Sequence, residues 1–171
     1  MMRLTKDQVD ELRMGALTAM DGLWFMGVEE RLGFDTALEI DIQVWKNYGI
    51  VLTKRIARMT GIDLKKGSRP DMHQVKFLLD ALCVLDGTRA SIVLEPDGTL
   101  LYRVDACPWW DNFQKAGRRN HPCEMIDEIV FRDWLGAIDG SLSMEILHSR
   151  PRGCEYCSFR ITGGLAEPAP P

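Results

Sequence analysis

The 171-residue chain lacks any apolar run near the roughly 20 residues that a membrane-spanning helix needs. Its opening, Met1-Met-Arg-Leu-Thr-Lys-Asp7, has no apolar secretory segment, so a cytoplasmic protein with no membrane partner is expected. Basic charge is also short: the net charge of -4 leaves no general positive field for nucleic acid. The two small basic clusters, Lys54-Arg55 with Arg58 and Arg118-Arg119, read as solvated faces. The glycine fingerprint of dinucleotide sites, the phosphate-binding loop and the serine-hydrolase elbow are all missing, which sets aside three common enzyme classes. There is no internal repeat. What remains, 46% hydrophobic and 27% charged residues, is an ordinary composition for one domain with a single core.

The first half reads as helices. Thr5 can cap a helix running to Leu32, and Gly33 sits where a C-terminal glycine belongs. A second helix is expected from about Thr36 to Met59, with Arg55 and Arg58 near its C-terminus, where cations suit the helix dipole. The two form an antiparallel hairpin. Met72, Val75, Leu78, Leu79 and Leu82 give a third helix from about Pro70 to Leu85. The period then changes. Ala90 to Leu94 and Thr99 to Val104 flank the turn Glu95-Pro-Asp-Gly98 and read as a β-hairpin. A helix from Glu124 to Ile138 and strands at Leu142–His148 and Ser158–Thr162 complete an α+β domain over residues 1–162, with the helical hairpin and third helix packed on a small antiparallel sheet. Residues 163–171 read as a disordered tail.

Five cysteines, an odd number, suit thiols or metal ligands better than a disulfide framework. Cys83 lies on an apolar helical run and reads as core packing. Cys107, Cys123, Cys154 and Cys157, with His121, each sit beside turn-forming residues, and such soft ligands in loops suggest tetrahedral metal binding, with zinc first and iron or an iron–sulfur cluster second. Three protein ligands would leave a position open for water; four thiolates would close the shell and make the metal structural. Trp109 and Trp110 read as lid or core.

Carboxylates occupy helical positions where apolar residues belong. Asp41 lies at the centre of the arc of Ala37, Leu38, Val44, Trp45, Tyr48 and Leu52, and Asp21 among Met14, Leu17, Trp24, Phe25 and Val28. Glu29 projects to the edge of that second arc. A buried carboxylate must find a donor or a cation, or keep its proton. Asp41 and Asp21 are therefore proton-handling groups, hard metal ligands or members of a polar network that accepts from Trp24, Trp45 or Tyr48, and Glu29 is a further proton-handling candidate or else solvent-exposed. His148, alternating with Leu142, Met144 and Ile146, is expected to face inward.

The strings Met20-Asp-Gly-Leu-Trp-Phe-Met-Gly-Val-Glu-Glu and Ala37-Leu-Glu-Ile-Asp-Ile-Gln-Val-Trp45, with His121-Pro-Cys-Glu124 and Cys157-Ser-Phe-Arg-Ile161, resemble the L-2-amino-thiazoline-4-carboxylic acid hydrolase-like family. That resemblance implies a small cytosolic protein acting on a C–N or C–S bond. The C-terminal part, closing on Cys157-Ser-Phe159, is similar to 4-vinyl reductase-type ligand-binding domains, although the preceding Cys154 stands closer than in that pattern. This second likeness implies an α/β fold around a small-molecule pocket. The resulting expectation is a metal-dependent hydrolase, with a small-molecule-binding or sensor domain as the alternative, a small-molecule partner in either case, and a homodimer left open.

Overall fold

A computed structural model describes residues 3–65, 67–118 and 121–163. The order is α1 (Lys6–Leu32), α2 (Phe34–Thr60), α3 (Met72–Asp86), β1 (Arg89–Leu94), β2 (Leu100–Ala106), α4 (Pro108–Lys115), α5 (Cys123–Ile138), β3 (Ser143–His148), a single 3-10 turn (Arg150–Arg152) and β4 (Cys157–Thr162). The α+β expectation holds, with helix ends within two residues of where caps and periodicity put them. The expected tail lies, from residue 164 on, outside the described residues.

Local chemistry sets the helix ends. Thr5 and Asp71 each form a reciprocal capping box, with Gln8 and Gln74, at the starts of α1 and α3. Gly33 joins the first two helices at φ 84°, a backbone angle costly for a residue with a Cβ, and so turns one helix into the next within a single residue. The four strands form one antiparallel sheet in the order β1-β2-β4-β3. Its pairing lines up apolar rows on one face: Ile92, Tyr102, Phe159 and Ile146 in one, and Leu94, Leu100, Ile161 and Met144 in the next. α3 and α5 cover this face, and their Val75, Leu78, Leu79, Phe131, Trp134 and Leu135 complete the main core. The opposite face mixes polar residues, among them the cross-strand pair Arg160–Glu145 at 3.0 Å, with the exposed Val93 and Leu101.

The helical hairpin packs against α5 and has a small core of its own, Phe25, Ala37 and Leu38, that Ile126 of α5 joins to the rest. Close approach of α2 to α5 depends on Gly49. A Cβ there would stand 1.8 Å from Trp134, whose indole N–H donates to the Trp45 carbonyl at 2.9 Å. Lys46 and Asp133 form an ion pair across the same contact at 2.7 Å.

Two expectations are corrected. His148 is exposed, because a register shift between Ile146 and His148 breaks the alternation and turns the ring outward, where its Nδ1 meets the Ser158 hydroxyl at 2.8 Å. The segment after Cys107 is a helix, α4, with Cys107 at its N-cap and Pro108 in its first turn.

Gly49→Ala is expected to lower the melting temperature, since overpacking costs about 1–3 kcal/mol and exceeds the roughly 1 kcal/mol that alanine gains in helix propensity. Thermal melting monitored by near-ultraviolet dichroism would report both the loss and the displaced Trp134. An unchanged melt would show that α2 and α5 adjust freely.

Candidate binding cavity

Between the helical hairpin, α4, α5 and the sheet lies a cavity of about 660 Å³. Tyr102 and Phe159 of the sheet and Val130, Phe131 and Trp134 of α5 form much of its wall, and the rings of Tyr102, Phe131 and Phe159 lie 5.4 to 5.8 Å apart. The volume falls within the roughly 300–1,000 Å³ common for small-molecule pockets. Exposed lining residues mark its mouth: Ala19, Leu23 and Met26 of α1 face Asn112 and Lys115 of α4 and the adjoining Ala116.

One group of wall residues is acidic and aromatic. Asp21 of α1 accepts from the Trp45 indole at 3.2 Å and from the Trp109 indole at 2.9 Å, tying α2 and α4 to α1 through one carboxylate. The two indoles are perpendicular, with centroids 4.9 Å apart. Asp41 also faces the cavity; it is 6% exposed, and its Oδ1 has no hydrogen-bond partner. Burial first, and then the charge of Asp21, pushes its carboxyl up to about 7. Burial raises Asp21 as well, while the two indole donors hold it down. Asp86, at the end of α3, accepts from Tyr48 at 3.1 Å and is pushed up to about 6 by burial. Of the network expected from sequence, the bond from Trp45 to Asp21 is present with Trp109 as a second donor, while Tyr48 donates to Asp86 and Trp24 is exposed.

A second group contains the thiols. Cys107, Cys123 and Cys157 line the cavity, together with Asp127 and His121. Burial pushes Cys107 up to about 11 and raises Cys123 and Cys157 as well, so all three are neutral thiols at pH 7. Burial, and then Glu124 and Glu128, push Asp127 up to about 7. His121 stacks on Phe113 with centroids 3.6 Å apart, and burial lowers it to about 4, which leaves the ring neutral.

Six of the eight residues singled out from sequence thus share one cavity: Asp21, Asp41, Cys107, His121, Cys123 and Cys157. Glu29 does not reach it. It pairs with Arg118, which does line the wall. Cys154 lies in the loop before β4, away from the lining.

The metal site is corrected. Among the described residues, no three His, Cys, Asp or Glu side chains converge as ligands. Part of the local reason is visible: the His121 ring is stacked on Phe113, and Cys154 lies outside the cavity lining. The expectations of metal binding, of zinc and of a metal-dependent hydrolase are corrected with that ligand set.

Sequence reasoning missed Asp86 and Asp127 as wall residues. Both follow the rule that found Asp41: Asp86 is one turn beyond Leu82 on the buried face of α3, and Asp127 lies midway between Cys123 and Phe131 on α5.

Comparison with known proteins adds a family and a fold. A family model described as a family of unknown function (DUF6125) matches residues 3–162, so the chain belongs to that family. No curated protein matches it. Among solved structures, the chain is similar to a trafficking protein particle complex subunit 3 from Naegleria fowleri, covalently bound to palmitic acid. The TM-score is 0.59 at 13% identity, over 90% of this chain and 96% of that one. The shared property is the fold.

Asp41→Asn tests the electrostatics of the wall. The Asp41 carboxyl holds its proton to a higher pH in the folded protein than in the unfolded chain, so its contribution favours folding most at low pH and is lost as pH rises from about 4 to about 7. His121 acts in the opposite sense over nearly the same range. The variant should therefore gain more melting temperature over the native protein at pH 7.5 than at pH 5, where only about a third of the loss has set in. A gain of about 1 kcal/mol would appear as about 2–4 °C. Equal shifts at the two pH values would show that Asp41 titrates normally.

Proposed function

We propose that this member of DUF6125 is a ligand-binding module that encloses an apolar small molecule in the cavity between its helical hairpin and its sheet. The observation that carries the reading is the cavity itself, about 660 Å³ and walled by Tyr102, Phe131, Trp134 and Phe159. A void of that size lined by rings forgoes dispersion contacts that a ligand would restore. The likeness of Cys157-Ser-Phe159 to the closing motif of 4-vinyl reductase-type ligand-binding domains supports the same reading. So does the fold shared with a protein that carries palmitic acid.

Binding is non-covalent in this reading. A thiol that attacks an acyl group does so as thiolate, and burial holds Cys107, Cys123 and Cys157 in the neutral form. Entry is between α1 and α4, past Ala19 and Leu23; the latter is 66% exposed.

Isothermal titration with decanol, kept below its solubility limit, is expected to show saturable binding at one site per chain. Ala19→Trp, at an exposed position on the rim, should weaken that binding about tenfold or more by covering the mouth, while the melting temperature stays within a few degrees. Absence of saturable binding by the native protein would refute enclosure. Intact-mass spectrometry decides the covalent question: an acyl adduct on a cavity cysteine would replace the non-covalent reading.

A further inference from the structure

We infer that the wall formed by Asp21, Asp41, Trp45 and Trp109 is a cation site, and that the enclosed ligand carries a protonated amine on its apolar body. The inference rests on the enclosure proposed above and names the chemistry of the ligand's head. Asp41 carries the argument: it is 94% buried, faces the cavity and has an oxygen without a donor. A buried acceptor left unmatched costs free energy, so its open valence marks a place where a donor is missing. Asp21 stands close enough for its charge to act on Asp41, and its own partners are two neutral indoles. Among the described residues neither acid has an ion-pair partner.

The surrounding groups select the sign of the ligand. The two carboxylates repel an anionic head, so a free carboxylate or phosphate is disfavoured on this wall. An ammonium group offers donors to the carboxylates of Asp41 and Asp21 and can meet Trp45 and Trp109, which also line the cavity. The basic residues of the lining are elsewhere: Lys115 is exposed at the mouth, and Arg118 is paired with Glu29. An amine is thus met by unneutralised acid at the wall, and its apolar body by the rings of Tyr102, Phe131 and Phe159.

Three probes of equal chain length, decylamine, decanol and decanoate, separate the head from the body. At pH 7.5 the native protein is expected to bind decylamine about tenfold or more tightly than decanol, and decanoate weakest. Asp41→Asn should bring decylamine close to decanol while leaving decanol unchanged. Glu30→Gln, at an exposed acid on the same helix as Asp21, should leave all three values as they were and so exclude a general attraction of amines to an acidic protein. Equal binding of amine and alcohol, or tightest binding of decanoate, would overturn the cation site and leave enclosure standing. Failure of all three probes would refute enclosure and the cation site with it.

Discussion

Asp21 accepting two indole N–H groups is the interaction on which the cavity depends. Trp45 comes from α2 and Trp109 from α4, and the first lies 24 and the second 88 residues along the chain from Asp21. Without that carboxylate two partly buried indole donors would be unmatched, at about 1–3 kcal/mol each. α4 would also lose its polar tie to α1. A second layer of ties follows from the first. Trp134 donates to the carbonyl of Trp45, which joins α5 to α2, and Trp45 packs edge-on to Tyr48, whose hydroxyl reaches Asp86 at the end of α3. Five helices are thus joined around a space by indoles and one phenol reaching acceptors, in addition to the close approach of α2 and α5 at Gly49.

The same arrangement explains why the acids keep unusual proton affinities. The indoles that satisfy Asp21 are neutral, so they donate without cancelling its charge, and that charge falls on Asp41. A tightly packed core would have excluded such residues, since a buried carboxylate with an open oxygen lowers stability. The fold tolerates Asp41 because the main core lies to one side, between the sheet and α3 and α5, where Leu78, Leu79, Leu100, Leu135 and Ile161 are almost fully enclosed. The sheet face that floors this core continues under the cavity through Tyr102 and Phe159.

How much of this was legible depended on whether a signal was local. The cap at Thr5 is local, and so the start of α1 could be read directly, whereas the third helix was begun at about Pro70, two residues before the start that Asp71 caps. The inward face of Asp41 was equally legible, because a helix fixes direction through a period that sequence displays. Alternation failed at His148 because one bulge reverses every later side chain, and nothing in the local residues announces it. The cysteines failed differently. Their gathering was foreseen in part, since Cys107, Cys123 and Cys157 do face one cavity. Metal ligation requires in addition that sulfurs converge, and that is decided by helix and strand packing across more than 30 residues. Cys107 caps α4, Cys157 opens β4 and Cys154 lies outside the lining, so the set expected from sequence is not brought together.

Ligand binding and stability are coupled at Asp41. In the free protein the acid sits buried with one oxygen unmatched, and it keeps its proton toward neutral pH because burial, and then the charge of Asp21, disfavour the ionised form. A group that supplied a donor and positive charge would favour the ionised form, release that proton and stabilise the folded state by the mass action of its own binding. A neutral apolar occupant would stabilise the fold through contacts with the rings alone and leave the proton in place. Proton release on binding is therefore a property of the wall and not of the cavity's volume, which separates what the ring-lined space selects, an apolar body, from what the two helical acids select.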